Sequence, residues 1–154
     1  MMTTADRKDL PYTYDSFGID AVCHFAERIG PGVVRKVAGC GGRVFVVTKF
    51  KYPNGDSINL YFHQGLDGNS VWVSEMGDAL FLHQVAGGYV VPKELAEIRA
   101  LCEASGIALI HGVLAKDITN ESVAACQSFC EALQRVCEIL AVVPPDANRS
   151  PTRL

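Results

Sequence analysis

Arg43-Val44-Phe45-Val46-Val47-Thr48-Lys49-Phe50-Lys51-Tyr52, a break at Pro53-Asn54-Gly55-Asp56, then Ser57-Ile58-Asn59-Leu60-Tyr61-Phe62-His63 is the stretch that decides the fold. A second break, Asp67-Gly68-Asn69, leads into Val71-Trp72-Val73-Ser74-Glu75, and Ala79-Leu80-Phe81-Leu82 follows. β-branched and aromatic runs separated by Asn-Gly and Asp-Gly predict hairpins, because those residues accept the positive φ of tight turns. Alternation places Val44, Val46, Thr48 and Phe50 on one face of the first strand and Phe45, Val47, Lys49 and Lys51 on the other. In the next strand Ile58, Leu60 and Phe62 share a face, opposite Asn59, Tyr61 and His63, and Trp72 falls on the side of Tyr61 and His63. The pattern is an antiparallel meander with one dry and one wetter side.

Working outward, Asp15 or Ser16 is a candidate cap for a helix whose apolar positions are Phe17, Ile19 or Ala21, Val22, Phe25, Ala26 and Ile29, closed by Gly30-Pro31. Val33–Val37 predicts a short strand. Ala79–Val85 fits a fourth strand or a short helix equally well. Pro92 opens a helix with Leu95, Ile98, Leu101 and Cys102 on its buried stripe, and Gly106 stands where a C-terminal glycine belongs. Residues 107–110 and 112–114 give one or two strands. A long helix then runs from about Thr119 or Asn120 to about Leu140, with Val123, Cys126, Cys130, Leu133, Cys137 and Leu140 on one face, before Pro144-Pro145 stops it. The expected order is α-β-β-β-(β)-α-β-β-α, an α+β domain over residues 15–143 with helices on an antiparallel sheet. Residues 1–14 are expected to be a flexible arm and 144–154 a disordered tail.

A chain of 154 residues with 49% hydrophobic and 20% charged residues has globular composition. Its formal charge of -3 gives no general footprint for phosphate backbones, although Arg35, Lys36, Lys49 and Lys51 could form a local basic edge. The N-terminus lacks the apolar region of a secretory signal, and no run is long enough to span a bilayer. A cytoplasmic setting with six reduced cysteines is the expectation.

No catalytic constellation stands out. The cysteines have no ligand spacing suited to a metal, and Cys126, Cys130 and Cys137 belong to an apolar helical stripe. Adjacent Cys23 and His24 would point ~100° apart on a helix, which argues against a catalytic pair. His63 at a strand end is either a sheet residue or a general base working with Asp67, Glu75 or Asp78. Turn aspartates such as Asp56 and Asp67 commonly serve backbone hydrogen bonds. No phosphate-binding glycine motif occurs, so no cofactor is expected. Phe45, Val47, Tyr61, His63 and Trp72 are the candidate binding residues: either they form an exposed patch on the outer sheet face, or the N-terminal or C-terminal helix covers them.

The run Val46–Tyr61 with its Pro53-Asn54-Gly55-Asp56 turn, followed by Asp67-Gly68 and Val73–Leu80, resembles a domain family of bacteria, phages and mobile elements whose function is unknown. Lys49 stands where that family has proline, Asn54 where it has an acid, and Glu75-Met76 where it has paired aspartates. The resemblance implies a bacterial or mobile-element setting and no activity. In order of elements the chain also looks like the type III secretion chaperones, which implies a homodimer that binds segments of another protein. The leading expectation is therefore a non-enzymatic, chaperone-like protein-interaction module. A small hydrolase or nuclease using His63, and a nucleic-acid-binding regulator, are the alternatives.

Overall fold

A computed structural model describes residues 2–85, 87–120 and 122–142. One six-stranded, wholly antiparallel sheet carries β1 (Val34–Cys40), β2 (Arg43–Lys51), β3 (Ser57–Gln64), β4 (Val71–Ser74), β5 (Ala108–Ile110) and β6 (Val113–Asp117) in the order β1-β2-β3-β4-β6-β5. The helices are α1 (Thr4–Arg7), α2 (Ile19–Ile29), α3 (Asp78–Val85), α4 (Pro92–Ser105) and α5 (Ser122–Val142). The α+β class and the order of strands and helices agree with the sequence. Ala79–Val85 resolves as helix, and residues 107–117 as two strands. The expected tail, 144–154, lies outside the described residues.

The turns form as their residues dictate. Gly55 takes φ 92°, and Asn54 accepts the Asp56 N–H at 3.0 Å while Tyr52 and Asp56 close the hairpin. Asp67 Oδ1 accepts the N–H groups of Asn69 and Ser70 and the Ser70 hydroxyl, each at 2.9 Å. Gly65 is required beside it, since a Cβ there would sit 1.7 Å from Ser70 Oγ. Thr48 is fully buried at an irregularity in the β2–β3 ladder. Its hydroxyl donates to the Ile58 carbonyl at 2.8 Å and accepts from Phe50 N–H, replacing ladder bonds that the irregularity removes.

One face of the sheet, the inner one, holds the core. Val46, Ile58, Leu60, Phe62, Val73 and Leu114 meet Val22 of α2, Ile98 of α4 and Cys126, Phe129, Cys130, Leu133, Val136 and Leu140 of α5. Phe25 lies between Phe17 and Phe62, with ring centroids 5.4 and 5.0 Å away. Burial pushes the thiols of Cys126 and Cys130 up to about 12, so they behave as small apolar groups.

Three expectations are corrected by the structure. The first long helix starts at Ile19 after Gly18, with no side-chain cap, so neither Asp15 nor Ser16 caps it. Ile19 and Val123 are exposed although their spacing marked them as apolar-stripe residues. The largest correction concerns residues 1–14. From Met2 onward they are not a loose arm: Leu10 is 2% and Tyr12 3% exposed. Thr3 and Asp6 exchange side-chain and backbone hydrogen bonds that close the single turn of α1.

Candidate functional site

The outer sheet face is built from Phe45 and Val47 of β2, Asn59, Tyr61 and His63 of β3, Trp72 and Ser74 of β4, and Ala115 of β6. Register places His63 directly across from Trp72, Tyr61 across from Ser74, and Ser74 across from Ala115. Of the two arrangements expected for this face, the bare patch is not found. Phe45 (9%), Val47 (7%) and His63 (0%) are buried, while Tyr61 and Trp72 are half-buried.

What covers the His63–Trp72 end is the N-terminal arm. The β2–β3 ladder stops at Val46 opposite Leu60, and residues 12–17 take over the remaining length of β3. Tyr12 bridges to Gly65, Thr13 N–H donates to the Gln64 carbonyl at 2.8 Å, and Phe17 N–H donates to the Phe62 carbonyl at 2.8 Å. The Tyr12 ring lies 4.4 Å from His63 and 5.7 Å from Trp72 by centroids. Leu10, Tyr12 and Ala115 form a small apolar cluster of their own, with Met2, Tyr14, Trp72 and Ile110 around it. The guanidinium groups of Arg7 and Arg43 both stack on Tyr14, at 3.8 and 4.6 Å. At the far end His111, in the tight β5–β6 turn with φ 50°, bonds Asp9 at 2.7 Å and lies 3.7 Å from Asp6. Those carboxylates hold its imidazole above the usual histidine range.

Beneath the arm is a buried polar pair. His63 Nε2 lies 2.8 Å from Ser74 Oγ, and Nδ1 lies 3.1 Å from the Thr13 carbonyl. A carbonyl only accepts, so Nδ1 carries the proton and the Ser74 hydroxyl donates to Nε2. Burial pushes this histidine down to about 4, keeping it neutral. The spacing is that of a nucleophile and its base. Its third member, however, is a backbone carbonyl instead of a carboxylate, and both side chains have no exposed surface.

The acids do not converge on His63. Asp67 is consumed by the turn described above. Glu75 is fully buried behind the strand and accepts from the N–H groups of Gly77 and Leu114 through Oε1 and of Ala79 through Oε2, at 2.8 to 2.9 Å. It ties β6 to the start of α3, and burial, partly opposed by these bonds, pushes it up to about 7. Asp78 lies in a separate concavity with Tyr52, Asp56, Ser57, Asn59, Phe81 and Leu82. Among the described residues no three His, Cys, Asp or Glu side chains gather as metal ligands would, and no helix is long and apolar enough to cross a membrane.

A second surface lies at the sheet's edge. Among the described residues β1 pairs only with β2, and no strand lies along its other side. Between β1 and α2 runs an open groove of about 400 Å³, lined by Cys23, Ala26, Gly30, Val34 and Val37, with Glu27 and Lys36 at hand. Arg35, at an irregularity of β1, and Lys36, Lys49 and Lys51 are all exposed on these two strands. This groove and the arm's seat were missed in the sequence. The only hint of the seat was the alternation Leu10-Pro11-Tyr12-Thr13-Tyr14 inside an otherwise polar stretch. Comparison with protein-family models, curated proteins and solved structures finds no match.

Proposed function

We propose that the protein is a non-enzymatic interaction module that associates with a second copy of itself through β1. The observation that carries this reading is an edge strand of seven residues, Val34–Cys40, bordering an open apolar groove. Sheet edges invite pairing, and natural ones are guarded by charges and bulges. Arg35 and Lys36 with the irregularity between Val34 and Lys36 are such guards, and they select a register. Antiparallel pairing about Val37 sets Val37 opposite its counterpart and Lys36 opposite Ala38, so the two lysines do not face each other directly, and the irregularity at Arg35 ends the regular ladder there. The same register brings α2 beside its symmetry mate over the two grooves.

Six free cysteines, with Cys102, Cys126, Cys130 and Cys137 buried, suit a reducing compartment. A cytoplasmic, chaperone-like role in a bacterial or mobile-element setting fits that chemistry. A hydrolase reading loses support from the scattered acids and the inaccessible Ser74. Four exposed cations on adjoining strands favour, as a second reading, contact with a nucleic-acid backbone. Affinity for a DNA or RNA duplex falling steeply with added salt is its signature.

The test is a cross-link. With Cys23→Ser/Cys40→Ser as background, since both thiols are free and accessible near β1, Val37→Cys oxidises rapidly to a covalent dimer and Lys51→Cys does not. Sedimentation shows a dimer for the unmodified chain. A strict monomer at high concentration, or equal cross-linking at both positions, sinks the reading.

A further inference from the structure

We infer that the outer face of the β3–β4–β6 part of the sheet is a binding surface for an extended segment of another protein, one with acidic residues ahead of an apolar–x–aromatic pair, and that residues 2–14 occupy it in cis. The inference concerns a different face from β1, so either can fail without the other.

The seated arm shows what this surface accepts. Leu10 and Tyr12 are the apolar and aromatic positions, nearly fully buried on Ala115, His63 and Trp72. Backbone bonds run both ways, from Thr13 N–H to Gln64 and from Leu66 N–H to the Pro11 carbonyl. His63 Nδ1–H is aimed at a backbone carbonyl, the group any extended segment presents whatever its side chains. Asp6 and Asp9 meet His111. Main-chain pairing with alternate side chains in pockets is how sheets capture peptides in trans.

The arm is also separable. The main core contains none of residues 2–14, and the arm's own apolar cluster is distinct from it. Lifting the arm therefore leaves the inner core whole and bares the tryptophan, His63 and Ser74. A partner must displace the arm, which lowers its apparent affinity by the fraction of time the arm is seated.

The experiment uses the full chain and a labelled synthetic peptide spanning residues 2–17. In the variant Asp6→Asn/Asp9→Asn/Tyr12→Ala the peptide binds at least ~10-fold more tightly than in the unmodified chain, because the competing arm is weakened. Trp72 emission, red-shifted in the free variant, returns toward the blue on binding, and a peptide lacking Tyr12 does not bind. A variant that keeps a cooperative thermal transition, shows exposed Trp72 and still ignores the peptide overturns the inference. So does a concentration-dependent dimer formed by arm exchange, since the occupant is then a second copy. If the triple variant does not fold, Asp6→Asn/Asp9→Asn alone must still gain peptide binding; no gain there counts as refutation.

Discussion

The two faces of the sheet are both covered, but by different physics. The inner face is closed by α2, α4 and α5 through interlocking aliphatic and aromatic side chains, with Thr48 at its rim satisfied locally. The outer face is closed at the His63–Trp72 end by one extended segment, a buried Ser–His pair and a surface tie to His111. Dense apolar packing resists removal of any single group, whereas a lid of this kind can leave without unfolding what lies below it.

The comparison breaks most visibly at Leu133. Leu133→Ala removes a fully buried side chain from the inner core and should cost about 3–5 kcal/mol in chemical denaturation. A loss below ~1 kcal/mol would mean that α5 is not part of a tight core.

Glu75→Gln comes next, with an expected loss of about 2–3 kcal/mol, because an amide cannot accept three N–H bonds with both ends. Its folded pKa of about 7 lies above the ordinary 4.5, so the contribution of Glu75 is full below pH 4.5 and declines as pH rises through 7. The variant's stability should be flatter across that window, and an unchanged pH profile would refute the assignment.

On the outer face Tyr12→Ala should cost only about 1–2 kcal/mol of global stability, while amide exchange in residues 3–17 rises by orders of magnitude. Exchange spreading equally to β2 and α5 would show that the faces are not independent.

The smallest effect is a pH optimum for arm closure. His63, flanked by Thr13, Ser74, Tyr12 and Arg43, has a lowered pKa, so its contribution to closure is lost as pH falls from the usual 6.5 toward 4. His111, between Asp6 and Asp9, is raised, so its contribution is lost as pH rises through its folded value. Closure, followed by Trp72 emission, should weaken on both sides of near-neutral pH, and His111→Gln should abolish only the alkaline limb.

The same contrast explains what was legible in the sequence. Asn54-Gly55, Asp67-Gly68 and Gly106 announce themselves because a positive φ is a local demand, and the structure meets each one at 55, 68 and 106. The core stripe of α5 was readable from period alone, apart from Val123. Residues 79–85 were ambiguous because Ala79-Leu80-Phe81-Leu82 is apolar at every position, and position in the fold, not pattern, leaves Phe81 exposed. The arm was hidden for the opposite reason: its residues are mostly polar, and Leu10 and Tyr12 find partners about 50 to 100 positions away. The expected binding residues do share the outer face as alternation said, but no local rule tells that a distant segment lies on them.

One backbone detail sets two neighbouring parts of the molecule against each other. A side chain in left-handed geometry is disfavoured, and at the bend between β5 and β6 glycine or asparagine would fit more comfortably than His111. Replacing it with glycine should therefore ease the bend while removing the N-terminal segment's tie through Asp6 and Asp9. In this turn, then, the hairpin gives up ease of bending for a grip on residues a hundred positions earlier.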